Sequence, residues 1–132
     1  MIKCSYLTTC EVTDEGRSLR LDFLDGAGQP TSVELPFEQA ESVVMTLPHM
    51  LSKALQQRTQ NKRLRYVFTP GHWSIEKADQ NFIILTLATE DGFEVSFAIP
   101  SGGCRSIGAA LKEAGESASD AQDCARPFAP WH

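Results

Sequence analysis

The feature that most restricts the fold is a pattern of strand, turn, strand and helix that occurs twice. The first copy covers residues 18–51 and the second residues 81–111. In each copy a hairpin ends in an apolar residue followed by proline, at Pro36 and at Pro100, and a helical pattern begins directly afterwards. Internal similarity of this kind is typical of duplicated supersecondary units. The sequence therefore predicts two related units in one chain.

Alternating apolar and polar residues predict the strands of these units. Leu19, Leu21 and Phe23 alternate with polar residues in the first copy, which is the period of a half-buried strand. The second copy turns at Asp91 and Gly92, a pair that is typical of tight hairpins. One further strand before each hairpin completes a βββα unit. The predicted strands are residues 6–13, 19–23 and 32–35, then 64–68 with 72–77, 82–88 and 93–99.

Each unit is predicted to end in a helix. Apolar residues at helical spacing favour a first helix over residues 38–58 and a second over residues 103–114. Pro48 lies inside the first pattern, and proline removes one backbone hydrogen bond and clashes with the preceding turn. We therefore expect a kink or a break near residues 45–47.

These elements predict an α+β fold of tandem, pseudo-symmetric βββα repeats, with an antiparallel sheet and helices packed on one face. The domain is predicted over residues 1–114, with repeats at about 4–58 and 64–114. Residues 115–132 have the composition of a solvated, flexible tail.

The predicted tail ends in an aromatic, proline-containing segment that is unusual for a solvated end. Phe128 and Trp131 fit three interpretations. The tail docks on its own domain or on a dimer mate, it is a short motif for a partner protein, or it is disordered. The sequence alone leaves all three open.

The predicted strand at residues 82–88 is apolar on both faces. Such a strand needs either two covering layers or an oligomer interface. Two helices are too few to cover both faces of a six-stranded sheet. The sequence therefore predicts a homodimer with Phe82 and Ile84 in its interface.

Charge and composition argue against several classes of protein. The net charge of −5 has the wrong sign for an obvious nucleic-acid or anionic-membrane binder. No apolar run approaches the roughly 18–20 residues of a membrane span. The first residues lack the basic start and apolar core of a signal peptide. We therefore expect a small cytoplasmic protein of bacterial type, without membrane partners.

The four cysteines, at positions 4, 10, 104 and 124, do not have the spacing of a metal site. None forms a C-x-x-C pair, and no histidine lies near one in sequence. In a reducing cytosol we expect free thiols. The sequence predicts neither a metal nor another cofactor.

One stretch opposes the overall acidity of the chain. It contains four basic residues within eight positions and then aromatic residues and a histidine: Arg58, Lys62, Arg63 and Arg65, followed by Tyr66, Phe68, His72 and Trp73. Basic side chains interleaved with aromatic ones can follow a nucleic-acid backbone and stack on bases. In architecture alone, tandem units of this kind resemble the Whirly and PUR-type folds, which bind single strands on their sheets. A solvated linker near a helix C-terminus and a surface for an acidic protein partner are the alternative interpretations.

The sequence shows no motif for nucleophilic catalysis, a P-loop or a dinucleotide-binding loop. We therefore predict a non-enzymatic interaction module that acts as a homodimer and binds an unidentified protein partner. One alternative is a module that binds single-stranded nucleic acid or a nucleotide at residues 58–73. A further alternative is an enzyme with His49 or His72 in a pocket.

Overall fold

A computed structural model of the chain describes the backbone of residues 1–120 and the side chains of residues 1–118. The chain divides into two compact units, Met1–Tyr66 (unit 1) and Val67–His132 (unit 2). Each unit forms its own three-stranded antiparallel sheet and carries one helix, so the fold is α+β. The six strands therefore form two sheets, and the predicted single six-stranded sheet is wrong. The predictions for Cys124, Phe128 and Trp131 lie outside the described residues.

Unit 1 contains strands β1 (Cys4–Thr13), β2 (Ser18–Asp25) and β3 (Pro30–Pro36), followed by helix α1 (Phe37–Thr59). β2 is the central strand and pairs with both neighbours. Unit 2 contains strands β4 (His72–Lys77), β5 (Phe82–Ala88) and β6 (Glu94–Pro100), followed by helix α2 (Ser101–Asp120). β5 is central there. The order of strands and helix is thus the same in both units.

The hairpin turns of the two units have the same backbone contacts. Gly28 in the β2–β3 turn has a φ of 79°, and Gly92, 64 positions later in the β5–β6 turn, has a φ of 95°. The N–H of Gly28 donates to the carbonyl of Asp25 at 3.0 Å, and the N–H of Gly92 donates to the carbonyl of Thr89 at 3.1 Å. Both turns need a left-handed residue at this position, which glycine adopts without a steric penalty.

Each helix begins directly after the proline that ends its hairpin. The first N–H of each helix has no partner within the helix, and a carbonyl at the start of the hairpin accepts it. Phe37 donates in this way to Arg17, and Ser101 donates to Asn81, both at 2.8 Å. This contact anchors the N-terminus of each helix to its own sheet.

Helix α1 differs from the prediction at its proline. The helix is continuous from Phe37 to Thr59 with Pro48 inside it, so of the predicted kink or break near residues 45–47 the break is wrong, and the kink stays a prediction. Pro48 has no N–H to donate to the carbonyl of Val44. Val44 is 66% exposed, so water has access to that turn of the helix.

The segment at residues 64–68, which the sequence favours as a strand, belongs to no strand. Side chains of α1 form hydrogen bonds with its backbone groups instead. The Nε2 of Gln56 donates to the carbonyl of Leu64 at 2.8 Å, and the N–H of Tyr66 donates to the Oγ of Ser52 at 3.0 Å. These bonds hold the start of the segment along the last turns of the helix.

Helix α2 is longer than predicted at its C-terminal end. It continues to Asp120, so residues 115–120, which the sequence places in the flexible tail, are helical. Glu116 and Ala118 are good helix formers, and one glycine at Gly115 is a modest cost in a helix of this length. The polar composition that suggested a tail also fits a solvent-exposed helix.

Candidate functional site

The sheet of unit 1 has one polar face, on which hydrogen bonds join the three strands. Arg20 on β2 pairs with Glu11 on β1 at 2.6 Å. Asp22, two residues further along β2, accepts hydrogen bonds from Thr9 on β1 at 2.7 Å and from Ser32 on β3. Polar side chains of all three strands therefore bond to one another on this face.

Asp22 is the titratable carboxyl of this network. The hydrogen bonds from Ser32 and Thr9 hold the pKa of Asp22 below its ordinary value against the opposing effect of burial, and the nearby charge of Arg20 makes a smaller contribution in the same direction as the hydrogen bonds. The Nε of Arg20 lies 3.4 Å from Oδ1 of Asp22. The carboxylate therefore stays ionised at neutral pH and stabilises the sheet.

The opposite face of the unit 1 sheet is apolar and is left open on its β1 side. In the strand register Leu19 lies between Val12 and Leu35, and Leu21 lies between Cys10 and Val33. The β2 residues are half-buried, but Val12 is 72% exposed. The hydrophobic face thus ends in solvent-exposed side chains.

The sheet of unit 2 has a larger apolar face. One row of neighbouring residues is Trp73, Leu87 and Val95, and the next is Ile75, Leu85 and Phe97. The outer residues are exposed: Trp73 by 71%, Ile75 by 57% and Phe97 by 50%. Isolated exposed apolar residues are common on protein surfaces, but a contiguous set on one sheet face indicates a contact surface.

The helices cover little of these faces. Ala40 is the single buried residue of α1, and Leu47, Met50 and Leu51 further along the helix are exposed by 47%, 54% and 43%. Most of the apolar stripe that the sequence predicts on this helix therefore remains accessible to a partner.

The first turn of helix α2 contacts the end of β6. A Cβ placed on Gly103 would lie 3.7 Å from Cγ2 of Ile99, which is in the apolar set of β6. Ile107 and Leu111 follow at helical spacing and are exposed by 43% and 66%. Helix α2 therefore carries exposed apolar side chains of its own.

A cleft of about 310 Å³ lies at the turn end of this apolar surface. One side is formed by the rings of Phe68 and Phe93, which stack with their centroids 4.5 Å apart. Side chains from the ends of β5 and β6 complete the lining. The lining residues are Val67, Phe68, Pro70, Leu87, Ala88, Thr89, Phe93, Val95 and Phe97. The cleft is almost entirely apolar.

The predicted basic and aromatic site divides between the two units. Its four basic residues, Arg58, Lys62, Arg63 and Arg65, belong to unit 1, whereas His72 and Trp73 belong to unit 2. All six are exposed. Each part therefore lies on the surface of its own unit.

The basic part lies on an ordered scaffold at the C-terminus of α1. Lys53 and Lys62 line a shallow groove together with three glutamines of the same helix end: Gln56, Gln57 and Gln60. From Ser42 to Ile75 the chain carries five basic residues and no Asp or Glu, although its net charge is −5. The groove thus lies in a locally positive stretch of an acidic chain.

The remaining predicted residues lie in three places. Phe82 and Ile84 lie on the face of β5 that is opposite the Ile75–Phe97 row, with Phe82 exposed by 41% and Ile84 half-buried. His49 is exposed on α1. The Nε2 of His72 lies 4.0 Å from Oε2 of Glu90, with both side chains largely exposed.

Residues 1–118 contain no group of three His, Cys, Asp or Glu side chains that is placed to hold a metal ion. Cys4, Cys10 and Cys104 are free thiols. Neither α1 nor the described part of α2 carries an apolar stretch long enough to span a membrane.

Comparison with protein-family models, with curated proteins and with solved structures gives no match. The site therefore has to be judged from its own geometry. Sequence reasoning identified the two-sided apolar strand β5 but missed the exposed rows beside it. The sequence signal for these rows was the alternation of Trp73 and Ile75 on β4. It indicates an apolar sheet face only when Trp73 is known to pair with Leu87 on β5.

Proposed function

We propose that this protein is a non-enzymatic interaction module that forms a homodimer through its apolar sheet faces. The observation that supports the proposal is the contrast between the two faces of unit 2. Trp73, Ile75 and Phe97 are exposed on one face. On the opposite face Phe82 is exposed by 41%, but Thr86 and Ser96 hydrogen-bond to each other at 2.8 Å in the middle of the strands.

The exposed area supports a second copy of the chain as the occupant. A whole aromatic side chain presents roughly 150–250 Å² and an aliphatic one somewhat less, so the exposed residues of this face and of α2 offer on the order of 600 Å². A standard interface takes about 800 Å² from each partner, and monomers rarely expose contiguous apolar patches above a few hundred Å².

The proposal treats the two units as repeats of one βββα module. The shared strand order, the 64-residue spacing of the turn glycines and the equivalent helix anchors support this interpretation. Three unpaired cysteines among the described residues fit action in the reducing cytoplasm. The apolar faces also suit an unidentified protein partner. In that case the dimer test below would find this chain as a monomer with an exposed apolar face.

Substitution on neighbouring residues of β4 tests which face forms the dimer. Ile75→Lys places a charge on the apolar face, and Ser74→Lys places the same charge on the opposite face. Burying an unpaired charge is costly, so we expect Ile75→Lys to yield monomers and Ser74→Lys to remain dimeric. Sedimentation equilibrium measures the mass, and circular dichroism checks that each variant is folded.

Ile84→Lys tests the interface predicted from the sequence, on the face of Phe82 and Ile84, against the interface proposed here, on the face of Ile75. A folded Ile84→Lys variant that is monomeric, together with a dimeric Ile75→Lys variant, would place the interface on the Phe82 and Ile84 face. Dimers in all three variants would contradict both versions of the homodimer.

A second candidate function is the binding of single-stranded nucleic acid at the positive stretch. The groove between Lys53 and Lys62 and the absence of acidic residues from 42 to 75 favour it. The loss of two phosphate contacts should make the slope of the logarithm of the binding constant against the logarithm of the salt concentration shallower by about 1.4 for a single strand. We expect this change for the double variant Arg63→Glu and Arg65→Glu.

Binding of a single-stranded oligonucleotide is measured by fluorescence anisotropy at two salt concentrations. The control carries the same change of charge on α2, as Arg105→Glu and Lys112→Glu, and should keep the wild-type slope. Equal loss of affinity in both double variants would indicate non-specific attraction and would remove residues 58–65 as the site.

A further inference from the structure

We propose that Trp73 of each copy in the homodimer enters the apolar cleft of the other copy, with the two-fold axis of the dimer running along β5. The inference rests on the proposed function, and it names the residues that meet across the apolar faces of unit 2. The tryptophan and the cleft belong to the same face of one sheet. Each copy therefore offers both halves of the contact, as a two-fold interface requires.

The cleft is a notch between aromatic side chains. Phe93, Val95 and Phe97 alternate along the chain and line the cleft together, so the small side chain of Val95 lies between two rings. Phe68 stacks on Phe93 and extends that wall. The volume of about 310 Å³ is at the lower end of the roughly 300–1,000 Å³ of small-molecule pockets. The cleft therefore suits one large side chain better than a cofactor.

The lining of the cleft favours an apolar occupant. Thr89 is the polar residue among the lining residues, and its hydroxyl donates to the carboxylate of Asp91 and accepts from the N–H of Phe93 at 3.1 Å. The N–H of Thr89 donates to the carbonyl of Phe93 at 2.8 Å. Because these groups already have partners, binding in the cleft depends on apolar area rather than on new hydrogen bonds.

Trp73 is a protruding side chain in the same row as the notch. The row runs from Trp73 on β4 through Leu87 on β5 to Val95 on β6, so Trp73 lies two strand spacings, or about 10 Å, from Val95. Trp73 does not line the cleft of its own copy and is largely exposed. Tryptophan is enriched among the residues that contribute most to interfaces, where it fills pockets of the partner.

A two-fold axis along β5 brings the tryptophan and the notch together. Such an axis, between two sheet faces packed about 10 Å apart, places β4 of one copy over β6 of the other. Trp73 then meets the partner's Val95, and Ile75 meets the partner's Phe97. Each row thus pairs a large side chain with a smaller one, which is the alternation that fills the space between packed faces.

The position of the axis decides whether the cleft is covered. An axis along β4 would set the two Trp73 rings against each other and leave both clefts outside the contact. An axis along β5 covers both clefts, which are continuous with the proposed interface because residues of both rows line them. It also buries the exposed rings of Phe68 and Phe93, so the contact approaches the roughly 800 Å² that a standard interface takes from each partner.

Mixtures of oppositely charged variants test which strands face each other. Trp73→Lys and Val95→Glu should each be monomeric alone at micromolar concentration, because each homodimer would bury two unpaired charges. Their equimolar mixture should form a heterodimer, in which the opposite charges meet at one contact and the wild-type residues at the other. Ile75→Lys with Phe97→Glu is a second facing pair, and both of its positions are exposed. Native mass spectrometry identifies heterodimers by mass, and circular dichroism checks that each variant is folded.

The matched control is the mixture of Trp73→Lys with Ile75→Glu, because both changes lie on β4 and on the same face. These positions do not face each other in the proposed dimer, so this mixture should remain monomeric. Heterodimers in the control at the abundance of the facing mixtures would place β4 against β4 and would overturn the inference. Facing mixtures without heterodimers, beside a dimeric wild type, would also overturn it and would leave the homodimer in place.

Fluorescence of Trp73 tests whether its ring is covered by a second copy. Trp131→Phe leaves Trp73 as the single tryptophan of the chain. We expect blue-shifted emission and several-fold weaker quenching by acrylamide in the dimer than in the Ile75→Lys monomer of the same background, with both differences lost on dilution. A dimer whose Trp73 is quenched like the monomer would overturn this inference alone. A wild type with the mass of one copy would overturn the homodimer and this inference together, whether Trp73 is exposed or covered by another part of its own chain.

Discussion

Asp22 is expected to make the stability of unit 1 depend on pH. Hydrogen bonds from Ser32 and Thr9 lower the pKa of Asp22 in the folded chain, so folding favours its ionised form. The contribution of Asp22 to stability is complete above the ordinary pKa of about 3.9. It is lost as the pH falls from there through the lowered pKa of the folded protein.

We predict that Asp22→Asn lowers the urea midpoint of unfolding at pH 7 and lowers it less at pH 3. The difference in stability between the two pH values should therefore be smaller in the variant than in the wild type. The matched control is Thr86→Val, which removes the neutral hydrogen bond to Ser96 at the corresponding position of unit 2. It should shift the midpoint equally at both pH values. Equal shifts for Asp22→Asn would contradict the role of its charge.

Helix α1 tolerates a proline in its interior, although proline disfavours helix. Pro48 lies in the middle of a 23-residue helix that remains continuous. The turn before it is accessible to water at Val44, whose carbonyl lacks the N–H that another residue would donate. The cost of the proline lowers the stability of the helix without breaking it.

We predict that Pro48→Ala raises the free energy of unfolding by about 1–3 kcal/mol, since proline in a helix interior costs about 3 kcal/mol relative to alanine. His49→Ala, at the neighbouring exposed position, should change it by less than about 0.5 kcal/mol. Urea unfolding followed by circular dichroism measures both. A destabilised Pro48→Ala variant would show that the proline makes a contact that the helix needs.

At the scale of the whole molecule, local patterns predicted the elements better than their assembly. The alternation of Leu19, Leu21 and Phe23 correctly indicated a hairpin strand. The pair at Asp91 and Gly92 correctly indicated the turn between β5 and β6 in unit 2. The number of sheets was not predictable in this way, because pairing between distant strands leaves no periodic signal. The same holds for residues 64–68, whose backbone groups are bound by side chains of α1.

The candidate site was only partly accessible from the sequence. The apolar character of β5 was evident, but the exposure of Trp73, Ile75 and Phe97 depends on the register of three strands. The stacking of Phe68 on Phe93 joins residues 25 positions apart and has no local pattern. The basic stretch was visible as charge, whereas its attachment to α1 through Gln56 required the structure.

The homodimer is the central claim, and the mass of the wild-type chain in solution tests it most directly. Sedimentation equilibrium over a dilution series, with reduced full-length protein, distinguishes one copy from two. We predict twice the mass of the chain at micromolar concentration, with Ile75→Lys converted to the mass of one copy. A wild-type protein that is a folded monomer throughout the series would contradict the account.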